Sequence, residues 1–171
     1  MAAKKVGELM VNIFDYPHVP YWFTIGQAVQ LMKMAFSGRE HPEPEVILVF
    51  DEKYNLIGTL GRNDLLSGLG PEMAATNSPV TSELTENAGN GSLWGEQFGA
   101  EARNKAERPV SETMSTVKHF IGPDADIGEA AFMMLRYNLQ MLPVLEGKKK
   151  LLGIVRMSEV FESLADAVIG D

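Results

Sequence analysis

The chain repeats itself, and no other feature constrains its fold as strongly. Val6-Gly7-Glu8-Leu9-Met10 returns as Val110-Ser111-Glu112-Thr113-Met114. Ile47-Leu48-Val49-Phe50-Asp51 returns as Leu142-Pro143-Val144-Leu145-Glu146, and Leu56-Ile57-Gly58-Thr59-Leu60 as Leu151-Leu152-Gly153-Ile154-Val155. Asp64-Leu65-Leu66 then matches Glu159-Val160-Phe161. The order is the same in both halves, so the chain specifies two copies of one supersecondary unit. The first copy is longer, and most of its excess lies in Ser37 to Glu45, a polar Gly- and Pro-containing stretch that reads as a loop.

Each copy predicts the same elements. Thr24-Ile25-Gly26-Gln27 and Asp126-Ile127-Gly128-Glu129 both place a short oxygen side chain three residues before Gln or Glu, the pattern of a capped helix start. Behind the first start, Ile25, Ala28, Val29, Met32 and Phe36 fall on one helical face; behind the second, Ile127, Ala130, Ala131, Met134, Leu135 and Asn138 do so. The methionines on these helices (Met32, Met34, Met133 and Met134) read as adaptable core packing. Next comes a short apolar strand, a turn (Glu52 to Asn55; Gly147 to Lys150) and a second apolar strand, which together predict an antiparallel hairpin. Lys148 to Lys150 reads as a solvated cap on the second hairpin. A last helix runs from Asp64 to the glycines at 68 and 70, and from Ser158 to about Val168. With a short strand ahead of the first helix, the fold class is α/β (α+β), two β-α-β-β-α repeats. The expected organisation is repeat 1 over residues 1–66, an inserted linker over 67–109, and repeat 2 over 110–171. Within the linker, Asn87 to Ser92 reads as a loop, and a helix is expected over 93–106. Its Trp94, Phe98 and Ala102 recur at i, i+4 and i+8, a face that either packs on its own domain or meets a partner.

Composition narrows the function. Apolar residues make up 45% of the chain, enough for a packed core. A net charge of −8 repels phosphate backbones, so nucleic acid is not an expected partner. The absence of cysteine removes disulfides, thiolate zinc sites and cysteine nucleophiles together, and suits a reducing compartment. The N-terminus lacks the apolar core of a signal peptide, and runs such as Val46 to Phe50 are too short to span a bilayer. A cytoplasmic protein with no membrane partner is the expectation. His18, His41 and His119 show no metal-ligand spacing. No Walker loop, Gly-x-Ser-x-Gly elbow or His-Glu-x-x-His is present, and Gly89-Asn90-Gly91 sits in a polar stretch unsuited to a dinucleotide site, so no enzyme is expected.

The repeated residues resemble the CBS-domain family, whose pattern runs Val-x-x-x-Met, a capped helix, a Leu-Pro-Val-type strand, then Gly-Ile-Val-Thr-x-x-Asp-Leu. The second copy shows Val110…Met114, Leu142-Pro143-Val144 and Gly153-Ile154-Val155; the first shows Val6…Met10, Gly58 and Asp64-Leu65-Leu66. The resemblance covers about residues 4–66 and 108–166. It implies a tandem pair (a Bateman module) with pseudo-twofold symmetry, commonly a homodimer, that binds AMP, ADP, ATP or S-adenosylmethionine as a regulatory ligand in a cleft between the copies and signals to an effector protein. No obligatory cofactor is implied. Two alternatives stand beside it: a ligand-free scaffold that only dimerises or docks another protein, and an enzyme of unrecognised type.

The implied ligand residues are Gly58, Arg62, Asn63, Asp64 and Val11 in the first copy, and Ser115, Arg156, Ser158 and Glu159 in the second. After Gly58 and Gly153 the chain passes from strand to helix, and a helix N-terminus offers free N–H groups and partial positive charge to a phosphate. The family acid, placed to accept from both ribose hydroxyls, is Asp64 in one copy and Glu159 in the other. The family hydroxyl three residues after the glycine is replaced by Gly61 and Arg156. Ser115 occupies a position where the family often has a ligand-contacting hydroxyl, and copy one has Val11 there. The first copy therefore holds the better acid and the second the better hydroxyl. The plainer alternative makes Asp64 and Glu159 first-turn acids that stabilise their helices, and Arg62 and Arg156 solvated arginines.

Overall fold

The computed structural model describes residues 4–35, 46–70, 91–147 and 150–170. The expectations for Phe36, for Ser37 to Glu45, for most of Asn87 to Ser92 and for Lys148 and Lys149 lie outside these residues. In chain order the elements are α1 (Val6–Leu9), β1 (Val11–Asn12), β2 (His18–Pro20), α2 (Ile25–Ala35), β3 (Val46–Phe50), β4 (Leu56–Gly61), α3 (Arg62–Leu69), α4 (Gly91–Lys105), β5 (Ser115–Thr116), α5 (Ile127–Tyr137), β6 (Met141–Glu146), β7 (Lys150–Arg156) and α6 (Met157–Ile169). Helix α4 begins at Gly91, so the last two residues of the expected loop are helical instead.

The chain divides into two compact units. The central unit is residues 17–116, and the terminal unit joins residues 1–16 to 117–171. The central sheet runs β2-β3-β4-β5 and the terminal sheet β1-β7-β6. Their hairpins share a register: Val46 faces Gly61 at the mouth of one, and Met141 faces Arg156 at the mouth of the other. Each is bulged one residue before its turn, at Val49/Phe50 and at Val144/Leu145. The parallel pairing of Val19 with Val49 is matched by the parallel bridge of Ile121 to Val144. The repeat read from the sequence is thus a repeat of strand register.

Packing cuts the chain differently from the repeat. The segment that opens each repeat lies on the other repeat's hairpin. Val11 and Asn12 pair antiparallel with Ile154 and Gly153 in the terminal unit. Ser115 and Thr116 pair with Thr59 and Gly58 in the central unit. The matching anchors are Val6 N–H on Ala125 O at 3.0 Å and Val110 N–H on Phe23 O at 2.7 Å. Both valines are fully buried.

Each unit has its own apolar core. The central one gathers Val19, Ile25, Ala28, Met32, Ile47, Val49, Leu60, Leu65 and Val110. The terminal one gathers Val6, Ile121, Ile127, Ala130, Met134, Leu142, Val144, Val155 and Val160. Three expected core residues fall outside. Leu135 is 77% exposed, because the buried face of α5 follows Ile127, Ala130 and Met134 and Leu135 stands a further 100° round the helix. Asn138 caps α5 in the left-handed conformation (φ 52°) instead of extending its face. Met34 is 71% exposed on α2.

The helix starts differ too. Thr24 and Gln27 form the complete reciprocal box, with Gln27 N–H on Thr24 Oγ1 at 3.1 Å and Thr24 N–H on Gln27 Oε1 at 3.0 Å. Asp126 makes no such bond; its carboxylate turns to Lys5 Nζ at 3.0 Å. In the first hairpin turn Asp51 accepts from the Asn55 side-chain amide and from the N–H groups of Asn55 and Lys53, which hold its carboxyl below the ordinary range. Among the described residues, no helix is long and apolar enough to cross a membrane.

Two predictions follow from the strand exchange and the caps. A Cβ on Gly153 would overlap the Val11 carbonyl oxygen, a backbone atom, whereas one on Gly58 would meet chiefly the flexible Met114 side chain, its Sδ at 2.6 Å. Gly153→Ala is expected to cost about 3 kcal/mol and Gly58→Ala about 1 kcal/mol in urea denaturation; equal costs would show that β1 gives way as easily as a side chain. Thr24→Ala should cost about 1 kcal/mol by the same measurement, and Asp126→Ala only a few tenths.

Candidate functional site

The nine ligand residues suggested by the sequence separate into two groups, one in each unit. In the central unit Gly58 lies on β4, Arg62, Asn63 and Asp64 open α3, and Ser115 lies on β5. In the terminal unit Val11 lies on β1, Arg156 ends β7, and Ser158 and Glu159 open α6. The exchange of opening segments decides this grouping. It brings Ser115 to Asp64 and sends Val11 to the hairpin that precedes Glu159. The better acid and the better hydroxyl, which the sequence assigns to different copies, are therefore together.

Asp64 is the centre of the first group. It is the third residue of α3, and its Oδ2 accepts the N–H of Gly61, the residue that caps the helix, at 2.7 Å. Its Oδ1 accepts the Ser115 hydroxyl at 2.8 Å. The first bond is the helix-stabilising role of a first-turn acid; the second is not needed for that role. A carboxylate has about four lone-pair sites, and these two bonds use half of them. Arg62 and Asn63 are exposed beside it, at the positive end of the helix.

Thr113 also belongs here, and the sequence does not point to it. Its hydroxyl donates to the Asp64 carbonyl at 2.6 Å and ties the first turn of α3 to the segment that carries Ser115. A Cβ on Gly68 would stand 2.8 Å from that hydroxyl oxygen, so the glycine makes the contact possible. The repeat aligns Thr113 with Leu9, which has no hydroxyl, and so hides it.

Glu159 is the equivalent acid on α6, in different surroundings. Its Oε2 accepts both the backbone N–H and the Nε–H of Arg156, each at 3.0 Å. Its Oε1 accepts from Arg156 Nη2 and from the Ser158 hydroxyl at 3.3 Å. Arg156 is 4% exposed and Glu159 is largely buried, so Arg156 is not the solvated arginine of the plainer sequence reading.

A cavity of about 260 Å³ adjoins the Thr113–Gly68 contact in the central unit, lined by those two residues and by Ile25, Ser67, Lys105, Arg108 and Glu112. Its cations are engaged: Lys105 with Gly70 O at 2.5 Å and Glu101 at 3.6 Å, Arg108 with Glu112 at 3.8 Å. Helix α4 packs on α3. Phe98 is exposed on α4 and Ala102 half-buried, while the Trp94 side chain lies outside the described residues.

Residues 110–166 match the CBS domain family. Over 118 residues the chain is 25% identical to the uncharacterized protein MJ1426 of Methanocaldococcus jannaschii, covering 68% of this chain and 70% of that protein. Its fold is that of the CBS-pair protein CBSX2 from Arabidopsis thaliana, with a TM-score of 0.68 at 16% identity over 99% of this chain and 100% of that one. CBSX2 in complex with AMP gives a TM-score of 0.64 at 17% identity, over 96% and 98% of the two chains. The CBS domain pair of MJ0100, in complex with 5-methylthioadenosine and S-adenosyl-L-methionine, gives 0.62 at 13% identity over 96% and 98%. At these identities the likeness to solved structures is one of fold. With residues 110–166 matched as a CBS domain and both repeats sharing one strand register, the chain carries a CBS domain in its second repeat and has the fold of a CBS pair.

Proposed function

We propose that this chain is a regulatory module that binds one adenosine-containing ligand at Asp64 and passes its presence to a partner protein, without turning the ligand over. The observation that carries the reading is the spare acceptor capacity of Asp64, held beside the Ser115 hydroxyl at the start of α3. A ribose offers two adjacent hydroxyl donors, which a carboxylate with free lone pairs accepts as a pair. The exposed N-terminus of α3, with Arg62 and Asn63, suits a phosphate or another anionic group on the same ligand. That CBSX2 was solved with AMP, and MJ0100 with 5-methylthioadenosine and S-adenosyl-L-methionine, supports the ligand class. Signalling requires that the ligand prefer one of two states of the chain; tight binding alone shifts nothing.

A scaffold reading has its own observation. Phe161, Leu164 and Val168 stand exposed at i, i+3 and i+7 on α6, and Phe132 and Leu135 stand exposed on the neighbouring α5. Exposed apolar stripes of this kind mark interaction surfaces, and a homodimer through the terminal unit is the assembly they favour.

The two readings make separate predictions. In a thermal-shift and calorimetry panel of AMP, ADP, ATP, S-adenosylmethionine and NADH, at least one compound at 100 times its Kd should raise stability by about 2.7 kcal/mol. Asp64→Asn keeps an oxygen for the Gly61 N–H but presents an amide to the ribose, so it should lose that gain while the unliganded protein melts normally. No shift with any of the five would sink the sensor reading, and turnover of any would revive an enzyme. For the scaffold, Phe161→Glu with Val168→Glu should halve the mass measured by light scattering; an unchanged mass would exclude this face as the dimer contact.

A further inference from the structure

We infer that the terminal unit's half-site is closed from within, and that Arg156 is the residue that closes it. The two units supply their own control. Gly61 and Arg156 hold the same position in the two hairpins, opposite Val46 and Met141, and each is followed by a helix whose third residue is the acid. At the glycine position the acid receives one backbone donor and one hydroxyl. At the arginine position it receives four donors: the Arg156 backbone N–H, the Nε–H and an Nη2–H of the Arg156 guanidinium, and the Ser158 hydroxyl. Four donors fill the capacity of a carboxylate, so Glu159 has no lone pair left for a ribose.

Charge works in the same direction. The guanidinium fork meets the carboxylate on both oxygens, the strongest geometry available to such a pair. Both partners are largely shielded from water, so a ligand that took Glu159 would have to break a buried ion pair. Neutral ribose hydroxyls offer nothing that repays this. The Ser115 hydroxyl also has no counterpart here, because Val11 holds its place. Arg156 therefore acts as a built-in occupant of Glu159, and the chain presents one open half-site, at Asp64.

The inference takes the adenosine reading of Asp64 as its reference, and calorimetry separates the two. Wild-type protein titrated with AMP, and separately with ATP, should bind one equivalent per chain. Arg156→Gly, which copies the central unit, should bind two, and Asp64→Asn with Arg156→Gly should bind one. A wild-type stoichiometry of two, or an Arg156→Gly protein that melts cooperatively yet binds no more than wild type, overturns the inference. Wild type binding none while Arg156→Gly binds one would sink the reading of Asp64 and leave the closed half-site standing; no binding by either overturns both. Should Arg156→Gly fail to melt cooperatively, Arg156→Ser replaces it, with the same stoichiometries expected.

Discussion

The reciprocal pairing of each repeat's opening segment with the other repeat's hairpin is the interaction on which the rest of this structure depends. It consists of short backbone ladders, Val11–Asn12 against Gly153–Ile154 and Ser115–Thr116 against Gly58–Thr59. Each is backed by a fully buried valine, Val6 or Val110. The glycines matter because the incoming segment crosses directly over them. At Gly153 the carbonyl of Val11 stands where a side chain would begin. Without these ladders Ser115 would not reach Asp64, and neither core would hold the valine that belongs to it.

The same exchange makes the two acids unlike each other. Their helices start identically, with a third residue that accepts the N–H of the cap. What differs is the cap residue, the strand brought alongside, and the first-turn pair itself, Asn63-Asp64 against Ser158-Glu159. Glycine at the cap and serine on the strand leave Asp64 with unused acceptor capacity. Arginine at the cap and valine on the strand leave Glu159 saturated. Differences at the cap, on the strand and in the first turn itself, where Asp64 and Asn63 stand against Glu159 and Ser158, thus separate an open half-site from a closed one on the same scaffold.

Much of this was legible in the sequence, because it depends on local chemistry. The hairpins, both sets of helices, the Thr24–Gln27 cap and most of the core follow from periodicity and capping patterns that require nothing distant. The misses have two causes: Asp126 and Ser115 meet partners far away in the chain, while Arg156 and Leu135 are decided by burial that local periodicity does not set. Asp126 has the pattern of a cap but turns to Lys5, which only the fold brings near. Arg156 looks like a surface arginine until its burial against Glu159 is seen. Ser115 looks like a partner for Glu159 because the repeat aligns them, yet the chain delivers it to Asp64. Periodicity places Leu135 beside Met134 on the core face of α5, but the observed face is too narrow to include it.

The exchange also governs when each part of the molecule can form. The central unit draws only on residues 17–116, so everything it needs has been synthesised once residue 116 leaves the ribosome. The terminal unit must join residues 1–16 to 117–171, and its β1 strand waits for a partner more than a hundred residues downstream. Until residues 117–171 follow, the N-terminal segment lacks both the strand that β1 pairs with and the core that buries Val6. The two repeats were written one after the other, but the two units are nested in the sequence, residues 17–116 between the two segments of the other.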